Sequence, residues 1–567
     1  MPRHTDHAIA EPPMSHRSTL LKSFIAFALL ATTSMSVIAD VTVDGDSPPA
    51  VTGHTTGHVH TVSPYFLGQN ESQFCRKIGT IPSFDPLIEQ TSKLIRELHL
   101  GHLRGPGGTG SSWYRYRTGE MIQPDSPDVL DYFPEDAIPR HKRRNTIADG
   151  YPGIFPHQFT KPARDNGIAY VYAANPIIDS DDDLVDLAML LRTLTPGPTF
   201  LEMGNEYYGR YAKKAFPDPA DYLAKVKRVR DRIKALDPSI RVGALMPSPA
   251  LTLRAQRFAD QHNPEQDGEF EGTPAHRHLR FVEVIAEAED AYDAVITHTY
   301  TSIRVLDGLT VDTLMQYLFG FQELEQQLFA DHPIPEGTPI WVTEWGVLNW
   351  AMFREKDLEL KAKYQFYKSV GVALVEMDWL LRMIDMEDIT ISSHHGLIGG
   401  QGFALVQNWG DETIRLPNYY VHRAIGEVLA EHPAYHRIET ASPSRVVAVE
   451  PHRDMLAFAD FDIEAPTVDL KHVGLWGFGD EQNLNVVVAI NRSEMPQRVS
   501  LPGHTLAKYW TYGGGDPLPG FMKAKVRWTH PPEFVPKPDT TAHDPAETVT
   551  LAPYSMTLLT ASPAASP

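Results

Sequence analysis

Two stretches, PTFLEMGNEYYG (198–209) and TPIWVTEWG (338–346), decide how this chain is organised. In each, a short, mostly apolar run that follows a proline leads to a glutamate: Glu206 comes after Gly204-Asn205 in the first stretch, and Glu344 follows the run directly in the second. Apolar runs of this length, bounded by turn residues, are typical of buried strands. Each glutamate is therefore expected at the end of a strand, and the sequence on either side shows which sheet those strands form.

From about residue 65 to residue 429, short apolar runs alternate with longer segments of helical periodicity, a pattern that indicates β/α units and a parallel sheet. Eight such pairs predict an α/β fold, a (β/α)8 TIM barrel, which needs about 250 residues or more. The predicted strands are Tyr65–Gly68, His102–Arg104, Ile168–Ala173, Thr199–Met203, Arg241–Leu245, Ala294–Thr297, Pro339–Thr343 and Val372–Met377. The predicted helices include Pro86–Glu97, Leu184–Leu194, Asp221–Leu236, Phe281–Ala288, Val311–Phe329, Ala362–Val370 and Asn418–Glu431.

The sequences that flank the barrel have a different hydrophobic pattern from the barrel itself. Residues 433–567 contain short alternating runs separated by Pro and Gly turns, which predicts an accessory C-terminal antiparallel β-sandwich domain. Residues 40–64 also alternate, and we expect them to add one or more strands to that sandwich. The catalytic barrel is thereby assigned to residues 65–432.

The N-terminus has the features of an export signal. Arg17 and Lys22 precede the apolar run FIAFALLA (24–31) and a small-residue stretch that ends in Val37-Ile38-Ala39. This apolar segment is shorter than the ~20 residues that a membrane-spanning helix needs. We therefore predict a cleaved signal peptide at residues 1–39 and a secreted or periplasmic protein, with translation starting at Met1 or at Met14.

The composition excludes several classes of partner. The chain has 567 residues, and its formal net charge of −21 disfavours attraction to nucleic-acid phosphates and to anionic membranes. We expect no nucleic-acid partner and no membrane association in the mature form. Cys75 is the single cysteine, which excludes an intramolecular disulfide. The sequence leaves the oligomeric state open.

Glu206 and Glu344 follow different predicted strands, yet both strand ends open onto the C-terminal face of one barrel, where the active sites of this fold lie. Hydrolysis of a glycosidic bond with retention needs two carboxylates ~5–5.5 Å apart, one protonated and one ionised. A single glutamate after a strand is commonly a surface residue. Two of them on one barrel face predict a catalytic pair.

The segments LEMGNEYYG (201–209) and PIWVTEWG (339–346) resemble the strand-four Asn-Glu and strand-seven Glu motifs of glycoside hydrolase clan A. LRGPGGTGSSWYRYRTG (103–119) and LAPYSMTLLT (551–560) are similar to segments of its α-L-arabinofuranosidase, β-xylosidase and β-glucuronidase/heparanase-like branches. The resemblance covers nearly the whole mature chain. It implies a secreted retaining glycosidase that acts on poly- or oligosaccharides without a cofactor.

The resemblance also implies roles for individual residues. Glu206 would be the general acid/base and Glu344 the nucleophile. Asn205 would bind the sugar 2-hydroxyl, and Arg104 would keep the nucleophile ionised. Further assignments follow the run THTY: Tyr300 would donate its phenol to Glu344, and His298 would reach the acid/base or a substrate hydroxyl, unless His298 is a core histidine.

Other residues have two interpretations each. Trp345, Trp379 and Trp113 are candidate platforms for sugar rings, although large aromatics near barrel ends also serve as packing. Arg115 and Arg117 could contact a uronate or a sulfate, or could simply be solvated. His394 and His395 suggest a metal, but the spacing of a known zinc motif is missing, which favours a solvated loop and no metal site.

Two rival functions remain compatible with the barrel. A carbohydrate-binding protein that has lost turnover would keep the fold, but the presence of both glutamates with Asn205 argues against it. A polysaccharide lyase would need a tyrosine or histidine base rather than two glutamates at strand ends. The sequence does not specify the sugar or whether cleavage is internal or terminal.

Overall fold

The computed structural model describes residues 50–71, 73–78, 81–122, 126, 129–135, 153–262, 270–302, 310–348, 369–399, 404–409, 412–449, 465–517 and 535–564. The predicted signal peptide, both candidate start codons and most of the helix predicted at Ala362–Val370 lie outside these residues. Within the described ranges, every helix is too short or too polar to serve as a membrane span.

Eight parallel strands form a closed barrel, because the first and last strands pair with each other and every other strand pairs with its neighbours in sequence order. The TIM barrel predicted from the sequence is confirmed. Barrel strands 1 to 8 are Leu67–Asn70, His102–Gly105, Ala169–Ala173, Thr199–Glu202, Arg241–Leu245, Ala294–Ser302, Ile340–Leu348 and Ile389–His394.

Helices surround the barrel, and several begin at a serine, threonine or aspartate whose side chain accepts a bond from the first turn. Ser180, Asp218, Thr273, Thr310 and Ser369 are such caps. The α-helices are Gln73–Lys77, Asp85–Leu98, Val129–Tyr132, Pro156–Phe159, Lys161–Asp165, Asp181–Leu194, Pro219–Leu236, Pro249–His262, Pro274–Ala286, Val311–Ala330, Val370–Asp385 and Pro417–Glu431. Short 3₁₀ turns lie at Gly108–Trp113, Arg210–Ala212 and Glu289–Ala291.

The prediction for barrel strand 8 was wrong. Residues 372–377, predicted as that strand, lie inside the helix Val370–Asp385, and the strand is Ile389–His394. The helix is buried on all sides over nearly its whole length, so its sequence lacks the polar face that usually marks a surface helix. A run rich in valine and leucine without such periodicity is therefore easily mistaken for a buried strand.

The C-terminal domain is an eight-stranded, largely antiparallel sheet that folds over a second hydrophobic core, as predicted for a β-sandwich. Its strand order is 504–513, 555–563, 484–491, 473–479, 434–441, 50–61, 497–500 and 548–551. The N-terminal strand Ala50–Thr61 lies inside this sheet, antiparallel to Ala434–Ala441 and parallel to Gln497–Ser500. Three separate two-stranded sheets pair 114–115 with 120–121, 406–409 with 412–415 and 444–448 with 467–471.

The barrel and the sandwich share a hydrophobic core. One continuous cluster of buried side chains contains barrel residues together with Trp476, Phe478 and Tyr512 of the sandwich. A buried ion pair also joins the domains, since Arg492 donates to Asp378 of the helix Val370–Asp385 at 2.6 Å and 2.8 Å. The two domains therefore pack against each other, with the helix Val370–Asp385 between them.

Candidate active site

Glu206 lies in a tight turn at the C-terminal end of barrel strand 4. Gly204 has φ +108°, and a Cβ placed on it would come within 2.3 Å of the Tyr207 ring, so this position requires glycine. Glu206 itself adopts the left-handed conformation with φ +52°. Such backbone strain costs roughly 1–3 kcal/mol and is typical of functional sites. The turn directs Asn205 into the interior and leaves Glu206 partly exposed.

Glu344 lies within barrel strand 7 rather than after it, because the strand continues to Leu348. A register irregularity between Val342 and Glu344 sets Glu344 opposite His298 of barrel strand 6. Alternate residues of a strand share a face, so His298 and Tyr300 approach the same carboxylate. The Tyr300 hydroxyl donates to Glu344 Oε2 at 2.6 Å.

The Glu344 carboxylate is buried but surrounded by donors and cations. Arg104 Nη1 donates to its Oε1 at 2.6 Å, and Asn70 Nδ2 donates to the same oxygen at 3.2 Å. Burial by itself raises the pKa of Glu344, but the charges of His395, His298 and Arg104 and the Tyr300 bond outweigh burial and hold that pKa well below its usual value. Glu344 is therefore ionised at neutral pH.

His298 lies between the two glutamates. Its Nδ1 is 3.1 Å from Glu206 Oε1 and 3.8 Å from Glu344 Oε2, while its Nε2 contacts Thr343 Oγ1 at 3.1 Å. Burial lowers the pKa of His298, yet the surrounding carboxylates of Glu344, Glu202 and Glu206 raise it to about 9. The imidazolium thus carries a positive charge beside both carboxylates. His298 therefore belongs to the candidate site and is not only a packing residue of the core.

Arg104 and Glu202 form a fully buried pair beneath the glutamates. Two nitrogens of Arg104 donate to the two oxygens of Glu202, each at 2.7 Å, and Nη2 also donates to Asn205 Oδ1 at 3.0 Å. Such bidentate geometry fixes the guanidinium in one orientation. A single cation therefore positions both Asn205 and Glu344.

The three tryptophans do not face a cleft. Trp113 and Trp345 are completely buried and Trp379 nearly so. Trp113 stacks on Phe133 at 3.9 Å between ring centroids, Trp345 packs against His422, and Trp379 donates to Thr299. Without an exposed ring face none of them can stack on a sugar, so this placement favours the packing interpretation.

The structure also changes the interpretation of the histidines and arginines. His394 was expected in a solvated loop, but it ends barrel strand 8 and is fully buried, next to Glu376 at 3.2 Å. That expectation was wrong because the misplaced strand shifted this segment out of the barrel. Arg117 is engaged on the surface by Asp183 and Asp186 of the helix Asp181–Leu194.

Two residues of the site, Asn70 and Glu202, were not predicted from the sequence, and His395 was wrongly expected in a solvated loop. Asn70 and His395 contact Glu344, and Glu202 anchors Arg104. Asn70 follows the pattern that revealed Glu206, a polar residue at the end of an apolar strand. Glu202 looked like an interior strand position, and a buried carboxylate shows no sequence signal until its cationic partner is known.

The fold and the site define a (β/α)8 barrel with a β-sandwich, in which two glutamates meet at the C-terminal ends of barrel strands 4 and 7. Solved structures with this fold include a family 51 α-L-arabinofuranosidase from Bifidobacterium longum (TM-score 0.61, 15% identity, 91% of this chain and 100% of that chain). An α-L-arabinofuranosidase from Thermotoga maritima is similar (TM-score 0.60, 14% identity, 90% and 99%).

A 4-O-α-L-rhamnosyl-β-D-glucuronidase from Fusarium oxysporum shares the fold at TM-score 0.52 and 12% identity, over 90% of this chain and 100% of that chain. No protein-family model and no curated protein matches the sequence. The resemblance to clan A glycoside hydrolases that was drawn from the sequence motifs is thus confirmed at the level of the fold.

Proposed function

We propose that this protein is a retaining glycoside hydrolase that acts on poly- or oligosaccharides, with Glu344 as the nucleophile and Glu206 as the general acid/base. The observation that carries the proposal is the closeness of the two carboxylates, since an oxygen of Glu206 and an oxygen of Glu344 lie within 4.8 Å of each other. Retaining enzymes hold the pair ~5–5.5 Å apart, whereas inverting enzymes leave ~6.5–9.5 Å for a water molecule.

The different surroundings of the two glutamates support different roles. Glu344 is ionised by the charges of His395, His298 and Arg104, as a nucleophile must be. Glu206 is more exposed, at 23% of its side chain, and His298 orients its carboxyl group. A carboxyl that opens toward solvent can exchange its proton with the departing oxygen and then with an incoming water.

The proposed mechanism is a double displacement. Glu206 protonates the glycosidic oxygen while Glu344 attacks the anomeric carbon, which breaks the glycosidic bond and forms a glycosyl-enzyme ester. Glu206 then takes a proton from water, the water oxygen attacks the anomeric carbon, and Glu344 leaves as a carboxylate. Asn205, held by Arg104, is placed to bind the sugar hydroxyl next to the reacting carbon.

The first experiment compares wild type with Glu344→Gln and Glu206→Gln on a panel of polysaccharides and aryl glycosides that includes aryl α-L-arabinofuranosides. Glu344→Gln should abolish turnover, and Glu206→Gln should lower it by about 10²–10⁴-fold. The exposed Glu439 of the sandwich provides the matched control, and Glu439→Gln should retain full activity. NMR of the first-formed product should show the anomer of the substrate.

Three results would oppose the proposal. An inverted product would assign Glu344 to water activation instead of attack. Equal activity of Glu344→Gln and wild type would remove Glu344 from the chemistry. If all variants and wild type are inactive but bind glycans in affinity electrophoresis, the protein is a carbohydrate-binding protein on the same fold.

The proposal includes export through the N-terminal signal. The run of apolar residues at 24–31, after Arg17 and Lys22, supports cleavage near Ala39. Mass spectrometry of protein secreted by a bacterial host should give a mature N-terminus close to Asp40. Recovery of the uncleaved chain in the membrane fraction would contradict this.

A further inference from the structure

Three side chains that the proposed reaction does not use converge where the sandwich meets the barrel. His58 and His60 lie on the sandwich strand Ala50–Thr61, and Glu387 lies in the short segment between the helix Val370–Asp385 and barrel strand 8. One ligand atom from each residue lies within 4.8 Å of the others. Imidazole and carboxylate groups in this number are a donor set for transition-metal cations.

The strand pattern explains why both histidines point the same way. His58 and His60 are separated by one residue, and alternate residues of a strand share a face. The strand is irregular at His58, because its register against Ala434–Ala441 shifts between Thr55 and Val59, and Gly57 has φ +79°. The bulge directs the pair of rings toward Glu387.

Both histidines approach one oxygen of Glu387, and the distance from His60 is the one expected between neighbouring ligands of a single ion. His58 Nε2 and His60 Nδ1 lie 2.6 Å and 3.3 Å from the same oxygen, Glu387 Oε1. Both nitrogens are shielded from solvent, and neither has a hydrogen-bond partner with proper angles among the described residues. In a tetrahedral zinc site with bonds of ~2.0–2.1 Å, neighbouring ligand atoms are about 3.3 Å apart.

The charges around the cluster are compatible with a cation. Glu387 supplies a negative charge, and the neutral imidazole is the form in which a histidine binds a metal. The nearby Arg437 is occupied by Asp385, to which it donates at 2.7 Å.

We propose that His58, His60 and Glu387 bind a zinc-like divalent transition-metal cation, with solvent at the remaining coordination position. Glu387 precedes barrel strand 8, so the site lies at the N-terminal end of the barrel, opposite the face that carries the glutamates. The cation would connect the sandwich to the barrel. Calcium and magnesium are disfavoured because they prefer oxygen ligands.

The test uses the full mature chain without a histidine tag, stripped with EDTA and dialysed against Zn²⁺ alone. Wild type should retain one zinc ion per chain that a double variant, His58→Ala with His60→Ala, does not retain. Glu387→Gln should weaken binding by at least about tenfold in competition with a chromophoric chelator. His54, exposed on the same strand, gives the matched control, and His54→Ala should bind zinc as wild type does.

A second measurement tests whether zinc affects the stability of the protein without affecting the proposed glycosidase reaction. Zinc should raise the thermal unfolding midpoint of wild type and of His54→Ala but not that of the double variant. Glycosidase activity at 25 °C should be the same with and without zinc. Circular dichroism verifies that each variant is folded.

The proposal is overturned if no ion is retained, or if the double variant still binds one ion with wild-type affinity. The second result would place the ion at another histidine and glutamate cluster, such as Glu376, His394 and His422. The first result leaves the glycosidase proposal unchanged, whereas the second would also require a test of zinc binding at Glu206, His298 and Glu344.

Discussion

Glu344 shows how a buried carboxylate keeps its charge. Its oxygens face Arg104 and Asn70 on one side and Tyr300 on the other, and these groups come from barrel strands 2, 1 and 6. Desolvation opposes ionisation, but several donors and cations together more than compensate for it. Each of these donors should therefore have a measurable effect on the acidic limb of the pH–rate profile.

Tyr300→Phe removes the hydroxyl that donates to Glu344 and should raise the pKa of Glu344. The acidic limb of kcat/KM, which reports the free enzyme, should move to higher pH, and the maximal rate should fall by about tenfold. Tyr292→Phe is the control, because that hydroxyl bonds to the Ile285 carbonyl away from the site. An unchanged acidic limb would show that Tyr300 does not control the ionisation of Glu344.

His298 should make stability depend on pH above neutrality. Its pKa is raised from 6.5 to about 9, so its stabilisation is fully present below pH 6.5 and is lost as pH rises through about 9. The loss is up to about 3 kcal/mol in the free energy of unfolding. Urea unfolding at pH 6 to 9 should show this slope in wild type but not in His298→Asn. Parallel curves for both proteins would contradict the prediction.

At the residue scale, the sequence predicted a side chain of the candidate active site only where a motif or the end of a predicted strand marked it. Glu206, Asn205 and Glu344 follow apolar runs. The structure brings Asn205 and Glu344 together around Arg104, and His298 lies between Glu206 and Glu344. Glu202 and His395 escaped prediction because their importance comes from contacts between distant strands. The two interpretations of the tryptophans stayed open in the sequence, since aromatic residues near strand ends do not reveal which way their rings face.

At the element scale, periodicity located most strands but failed where burial removed it. Barrel strand 5 was predicted with its observed bounds, Arg241–Leu245, and the helix before it began within two residues of Asp221. The helix Val370–Asp385 lies between the barrel and the sandwich and is buried around its circumference, including its charged residues Glu376, Asp378 and Arg382. An element that is buried on all sides has no exposed polar face, so its hydrophobic periodicity does not show whether it is a helix or a strand.

The helix Val311–Ala330 carries another buried carboxylate, Glu325, which no motif predicted. Neither of its oxygens has a hydrogen-bond partner among the described residues, and burial raises its pKa to about 8. The folded protein therefore keeps a proton that the unfolded chain releases above about pH 4.5. Stability should fall between pH 4.5 and 8, on the order of 4 kcal/mol from this group.

Glu325→Gln removes this titration, so the variant should lose less stability than wild type between pH 5 and pH 8. The measurement is the urea midpoint at each pH, and Glu439→Gln serves as the control on an exposed surface. If wild type and Glu325→Gln show the same slope, the carboxyl group is not held neutral in the folded protein.

At the scale of the whole molecule, the sandwich is not separable from the N-terminal part of the chain. The strand Ala50–Thr61 lies between Ala434–Ala441 and Gln497–Ser500, so the sheet is incomplete without residues that precede the barrel. The sequence suggested this from alternation alone. It could not show that the two domains share one hydrophobic core, because such packing depends on which faces meet.

A buried Arg–Asp–Arg cluster makes this coupling testable. Asp378 accepts from Arg382 of its own helix at 2.8 Å and from Arg492 of the sandwich at 2.6 Å, and all three side chains are buried. Asp378→Ala removes the carboxylate to which the buried Arg492 donates, while Arg382 keeps Glu323 at 2.8 Å, and the loss should cost roughly 3–5 kcal/mol. Because the cluster lies in both domains, we expect tryptophan fluorescence and glycosidase activity to be lost together, in one transition at lower urea concentration than in wild type. Asp544→Ala, on the exposed surface of the C-terminal domain, should leave the midpoint unchanged. Loss of activity and of tryptophan fluorescence at different urea concentrations would show that the barrel and the sandwich unfold independently.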